Sequence, residues 1–78
     1  SLMASTDRNR IEIGFHGGQV MAAHVSTSAA DALDAALADG RDGTLTLEAD
    51  DGHYVVVLQR IVYVKRFTRE ARVGFTPG

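Results

Sequence analysis

Three groups of residues in this chain have types that could do chemistry: three histidines, a set of carboxylates, and a late run of cations with two aromatic rings among them. His16, His24 and His53 are the candidate metal ligands. A zinc site needs three or four ligands converging at about 2.0–2.3 Å, and no two of these histidines have the spacing of a local ligand pair. The chain has no cysteine, so neither a thiolate site nor a disulfide is available to it. We read His16 as a turn residue, His24 as a hydrogen-bonded histidine on the core side, and His53 as lying on the opposite face. No metal and no cofactor is expected.

Nucleophilic catalysis needs a nucleophile beside an activating base. Ser26 and Ser28 stand where a helix starts, and capping accounts for both. Acid/base chemistry needs carboxylates held together in a cleft. Asp31, Asp34, Asp39 and Asp42 belong to or border an exposed helix face, and Asp50-Asp51 belongs to a turn. Gly17-Gly18 precedes a strand rather than a helix, so it cradles no phosphate. A domain of 78 residues also has little room for a ligand pocket of about 300 Å³ or more. The expectation is that the chain is not an enzyme.

The cationic run is the sharper signal. Arg60, Lys65, Arg66, Arg69 and Arg72 are interleaved with Tyr63 and Phe67. Cations neutralise phosphates and aromatic rings stack on unpaired bases. Against this, the net charge is −2 and the isoelectric point is near 5.8, whereas a dedicated nucleic-acid binder more often lies above about 9. The charge is divided: residues 1–58 carry three arginines against nine carboxylates, and residues 59–78 carry five cations against Glu70. Nucleic acid is therefore the alternative partner. The leading account of Arg60, Lys65 and Arg66 is a charged rim around an apolar contact, with Arg60 and Lys65 meeting helix acids.

The elements that must position these residues follow from periodicity. Ile11, Ile13 and Phe15 alternate over Arg10–Phe15, which predicts a strand. Gly17-Gly18 suits a two-residue type I′ turn, pairing Phe15 with Val20 and placing Val20, Ala22 and His24 on the face of Ile11. Ser28 with Asp31 reads as a capping box for a helix over Ala29–Asp39, with Ala29, Ala30, Leu33, Ala36 and Leu37 as its apolar stripe and Gly40 as its stop. Thr44–Ala49 alternates again. Asp50-Asp51-Gly52 is a hairpin turn that pairs Asp50 with His53 and puts Tyr54, Val56 and Leu58 beside Leu45 and Leu47. Gln59-Arg60 then reverses the chain into Ile61–Phe67, and Arg72–Phe75 offers a last short strand. The order is β-β-α-β-β-β: an α+β domain, mainly an antiparallel sheet with one helix packed on one face.

Residues 10–76 form this single domain. Ser1 and Leu2 ahead of Met3 read as a cloning scar, and residues 1–9 are expected to be disordered. No apolar run approaches the roughly 20 residues that span a bilayer, and no signal segment opens the chain, so a soluble, cytoplasmic protein with no membrane partner is expected.

Tyr54–Leu58 and Ile61–Val64 are unbroken apolar runs, whereas a strand with one wet face should alternate. With a tight Gln59-Arg60 hairpin, Val57 faces Val62 and Val55 faces Val64, four valines on the face that the helix does not cover. Burying each is worth about 1.5–3 kcal/mol, and a contiguous apolar patch marks an interface. Val55, Val57, Val62 and Val64 are accordingly the expected contact of a homodimer or higher oligomer, or of an unknown protein partner. The alternative is a sheet that curls until strands one and two cover the valines.

The segments IEIGF, GTLTLEADDGHYVVVLQRIVYV and RVGF, in this order around a leucine-containing helix, resemble a family of short actinobacterial proteins, the domain of unknown function 3107 family. The matching residues are Ile11–Phe15, Leu33, Gly43–Leu47, Asp51-Gly52, Arg60–Val64 and Arg72–Phe75, nearly the whole ordered chain. This sequence departs from the family in its shorter first hairpin and in the basic pair Lys65-Arg66. The resemblance implies the order of elements, and no activity, cofactor or catalytic residue.

Overall fold

Ile11 and Ile13 alternate with Arg10, Glu12 and Gly14, and the computed structural model, which describes residues 7–68, forms strand β1 here (Arg8–Phe15). There follow β2 (Val20–Ser26), helix α1 (Thr27–Ala38), β3 (Thr44–Ala49), β4 (Gly52–Val57), a 3₁₀ turn (Leu58–Arg60) and β5 (Ile61–Arg66). This is the predicted β-β-α-β-β-β order, and every strand pair is antiparallel. Arg69, Arg72 and the short strand expected over Arg72–Phe75 lie outside the described residues.

The strands form two sheets, β2-β1-β5 and β3-β4. The expected Gln59-Arg60 hairpin is not made. Leu58–Arg60 winds into a 3₁₀ turn instead, with Leu58 buried. The turn carries the chain away from β4, so β5 pairs with β1: Ile13 faces Val64 and Ile11 faces Arg66. The physical reason lies in the sequence: Gln59-Arg60 has no glycine or asparagine to supply the positive φ of a two-residue hairpin turn, while Leu58 gains burial by turning inward. Backbone bonds secure the crossover, from the Leu58 amide to the Gly43 carbonyl at 3.1 Å and from the His16 amide to the Arg60 carbonyl at 2.8 Å.

The first hairpin differs by one residue from expectation. Gly14 faces Val20, Ile13 faces Met21 and Ile11 faces Ala23. The loop has three residues rather than two: the Gly18 amide donates to the Phe15 carbonyl and the Phe15 amide donates to the Gln19 carbonyl. Gly17 takes φ 99°, as the third position of a type II turn requires. A one-residue shift moves every side chain of a strand to the other face. Ala23 and Val25 are therefore buried, while Val20, Ala22 and His24 are exposed. This corrects the placement of His24 on the core side. The second hairpin is also shifted, with Ala49 rather than Asp50 at the turn and facing Gly52. There the shift is two residues, so Leu45, Leu47, Tyr54 and Val56 share a face as expected.

Helix α1 begins two residues earlier than the Ser28–Asp31 box implies. Ser26 is the N-cap, its Oγ accepting from the Ala29 amide at 3.0 Å. Gly40 (φ 116°) ends it, and the Arg41 amide reaches back to the Ala36 carbonyl at 3.3 Å, a Schellman closure. Arg41 also donates to the Ile61 carbonyl at 2.6 Å, tying the helix end to β5. Ala30 and Leu33 pack onto Ile11, Ile13, Val25, Leu47, Val56, Leu58 and Ile61, which together make one core between helix and sheets. Fully burying a side chain such as Leu33 contributes about 1.5–3 kcal/mol. Arg66, on the core-side face of β5, reaches Asp31 at 3.0 Å and Asp34 at 2.8 Å, clamping that strand to the helix.

Candidate functional site

Two surfaces stay uncovered once these elements are placed, and both come from alternation. On β4, Tyr54 and Val56 turn inward, so Val55 and Val57 turn outward, 62% and 49% exposed, opposite Thr46 and Thr44 of β3. Strand β4 pairs only with β3, so among the described residues its other edge offers unpaired backbone groups. Beside β4 runs a groove of about 310 Å³ between it and the first hairpin, floored by Phe15, Met21, Tyr54 and Val56 and ended by Arg60.

Two of the four expected contact valines are thus together on β4, and the other two are elsewhere. Val62 is 54% exposed on β5, at the register break where Gly14 faces Tyr63 and Phe15 faces Ile61. Val64 is half-buried against the core. The pairs Val57–Val62 and Val55–Val64 do not form, because β4 and β5 belong to different sheets. Strands one and two do not fold over Val55 and Val57 either.

The second surface is the outer face of β2-β1-β5. Register places Val20, Ala22 and His24 of β2 beside Gly14, Glu12 and Arg10 of β1, with Tyr63 and Lys65 of β5 beyond Gly14 and Glu12. The Phe67 amide donates to the Arg10 carbonyl at 3.0 Å, extending this row. Gly14 is buried because the Tyr63 ring lies on it, where a Cβ would overlap the ring. The Tyr63 hydroxyl donates to Glu12 Oε2 at 2.6 Å. That hydrogen bond to a carboxylate, chiefly, raises the Tyr63 pKa above the ordinary phenol value. Tyr54 is raised likewise, first by its hydrogen bond of 2.8 Å to Asp51.

The expected basic rim is divided among three places. Arg66 points to the helix acids, and the hydrogen bonds to Asp34 and then Asp31 raise its pKa. Arg60 ends the β4 groove. Lys65 joins the outer face, 4.5 Å from the centre of the Phe67 ring. The helix acids are thus met by Arg66 rather than by Arg60 or Lys65. Arg10 was not among the sequence candidates. It stacks 4.6 Å from the same ring, and only its place opposite the apolar phase of β1 could have announced it. Among the described residues, no three histidine or carboxylate side chains gather as a metal site, and no helix is long and apolar enough to cross a membrane. No family model, no curated protein and no solved structure matches the chain.

Proposed function

We propose that this protein is a small self-association module whose copies pair edge to edge through β4. The carrying observation is the contrast between two edge strands, β5 of the three-stranded sheet and β4 of the two-stranded one. Natural sheets guard free edges with charges, prolines or bulges. Strand β5 has both a register break at Gly14/Phe15 and the cations Lys65 and Arg66. Strand β4 and the turn after it, from Gly52 to Gln59, have no proline, no lysine, no arginine and no carboxylate. Its only ionisable side chains are His53 and Tyr54.

That neutrality favours an identical copy as the partner. In a two-fold antiparallel pairing each residue meets its own symmetry mate or a near neighbour, and here no like charges would oppose one another. The partner's inward residues would fill the groove over Phe15 and Met21, and Val55 and Val57 would continue across a joined sheet. Strand addition of this kind takes affinity from main-chain hydrogen bonds and specificity from alternate side-chain pockets.

Light scattering after size exclusion at two concentrations tests this. The wild type is expected at twice its 8.3 kDa chain mass. Val55→Lys is expected at the monomer mass with an unchanged far-ultraviolet spectrum, since Val55 is exposed. A wild type that is monomeric at both concentrations would overturn the proposal, and so would a Val55→Lys dimer.

A further inference from the structure

We infer that the outer face of β2-β1-β5 binds single-stranded nucleic acid, through Arg10 and Lys65 on phosphate, both held over the Phe67 ring, and Tyr63 on a base. The basis is an arrangement that the linear order of the cations conceals. Of the late cations, Arg66 is spent on Asp31 and Asp34. Lys65 alternates to the other side of β5 and meets Arg10 from the opposite end of the chain. Both cations are held within 4.6 Å of the centre of one ring, Phe67. Neither makes an ion pair among the described residues, whose salt bridges all belong to Arg8 and Arg66.

The surroundings fit the same ligand. A recess of about 270 Å³ at this end of the sheet is lined by Arg8, Asn9, Arg10, His24 and Phe67. It sets Arg10 and His24 beside an aromatic ring, while Arg8 is paired with Asp50. Tyr63, 43% exposed, lies four residues back along the same face of β5, a separation of roughly 13 Å at about 3.3 Å per residue. An exposed ring a few residues from a pair of cations matches a sugar-phosphate chain laid across a sheet, a base stacking and its phosphates neutralised. Of the carboxylates near these cations, Glu12 stands on the central strand directly opposite Lys65 and keeps its charge, so the phosphates must lie toward Arg10 and the Phe67 end of the face. Asp50 holds Arg8, and Glu12 accepts the Tyr63 hydroxyl. The overall acidity of the chain does not decide the matter, because the helix carboxylates Asp31 and Asp34 face Arg66 on the core side of the sheet.

The inference is independent of pairing through β4, which uses another sheet. Its test is fluorescence anisotropy with a labelled oligothymidylate, with amide NMR shifts locating the site. Two neutralised phosphates give a salt slope of about −1.4, so affinity should fall about sevenfold between 50 and 200 mM salt. Arg10→Ala with Lys65→Ala should flatten that slope, and Tyr63→Leu should weaken binding by about fivefold or more while leaving the slope in place. Shifts should cluster at residues 10, 22, 24, 63, 65 and 67, with those at 55 and 57 unchanged. No saturable binding at 50 mM salt would overturn the inference. So would equal binding of inorganic polyphosphate with no effect of Tyr63→Leu, which would reduce the face to a generic anion surface. All three substitutions sit outside the core, so the variants should keep the wild-type circular dichroism.

Discussion

Ala22 and Ala23 are chemically identical neighbours whose fates on substitution should be opposite. Ala23 faces Ile11 inside the core and is 7% exposed, whereas Ala22 faces Glu12 on the open side of the sheet. A lysine at position 23 would set an ammonium among Ile11, Ile13 and Val25 with no carboxylate opposite it. An uncompensated buried charge costs about 3–5 kcal/mol. At about 0.05–0.15 kcal/mol per residue the whole chain has only about 4–12 kcal/mol to lose. With a urea dependence near 1 kcal/mol/M for so small a protein, the midpoint of Ala23→Lys should drop by about 3 M or more. Ala22→Lys gains a carboxylate across the strand pair, worth about 0.2–1 kcal/mol, and its midpoint should stay level or rise slightly. Urea unfolding of both variants, read by circular dichroism, decides the matter. If Ala22→Lys unfolds and Ala23→Lys does not, the first hairpin closes through a two-residue Gly-Gly turn and the register is one residue away. If both unfold alike, something covers the outer face of the three-stranded sheet.

Three further outcomes follow from the same geometry. Ser26→Ala should cost about 1 kcal/mol, while Ser28→Ala should stay within about 0.5 kcal/mol, because the Ser26 Oγ takes the Ala29 amide; urea midpoints of the pair separate the two caps. Tyr54 and Tyr63 should both ionise above the ordinary phenol value. A raised folded pKa adds stability that is complete below the unfolded value of about 10 and is lost as pH climbs through the folded value; phenolate absorbance should fall back toward normal at one tyrosine in Asp51→Asn and at the other in Glu12→Gln, and an unchanged curve would refute the contacts. Gly14→Ala should push the Tyr63 ring off the strand and lower its pKa as Glu12→Gln does, visible in the same titration.

Much of the fold was legible because alternation and helical spacing report burial directly. Ile11/Ile13, Leu45/Leu47, and Ala30/Leu33 declared their faces, and the order of elements followed. What the sequence could not carry was the length of one turn. Gly17-Gly18 supplies positive φ equally to a two-residue and a three-residue loop, and that choice alone sends His24 inward or outward. The β4–β5 connection failed for a different reason. Adjacency in sequence favoured a hairpin, but Leu58 and Ile61 each gain more by burial than a tight turn would permit, and the resulting 3₁₀ segment hands β5 to β1. The candidate surfaces inherit these two errors. Val55 and Val57 kept their outward phase, Val62 and Val64 were carried to another sheet, and Arg10 joined Lys65 only through a long-range strand pair that no local pattern announces.

That strand pair also sets the order in which the chain acquires structure. Strands β3 and β4 are joined by a tight turn and can zip within microseconds. Strand β1 finds one neighbour in β2 at once, yet its second neighbour, β5, is made about fifty positions later, several seconds at ribosomal speeds of about 5–20 residues per second. During that interval one edge of β1 is unpaired, with Ile11 and Ile13 short of their covering partner. The nascent protein is therefore most exposed to aggregation late in synthesis, and substitutions in β5 should depress soluble yield more than their equilibrium stabilities would indicate.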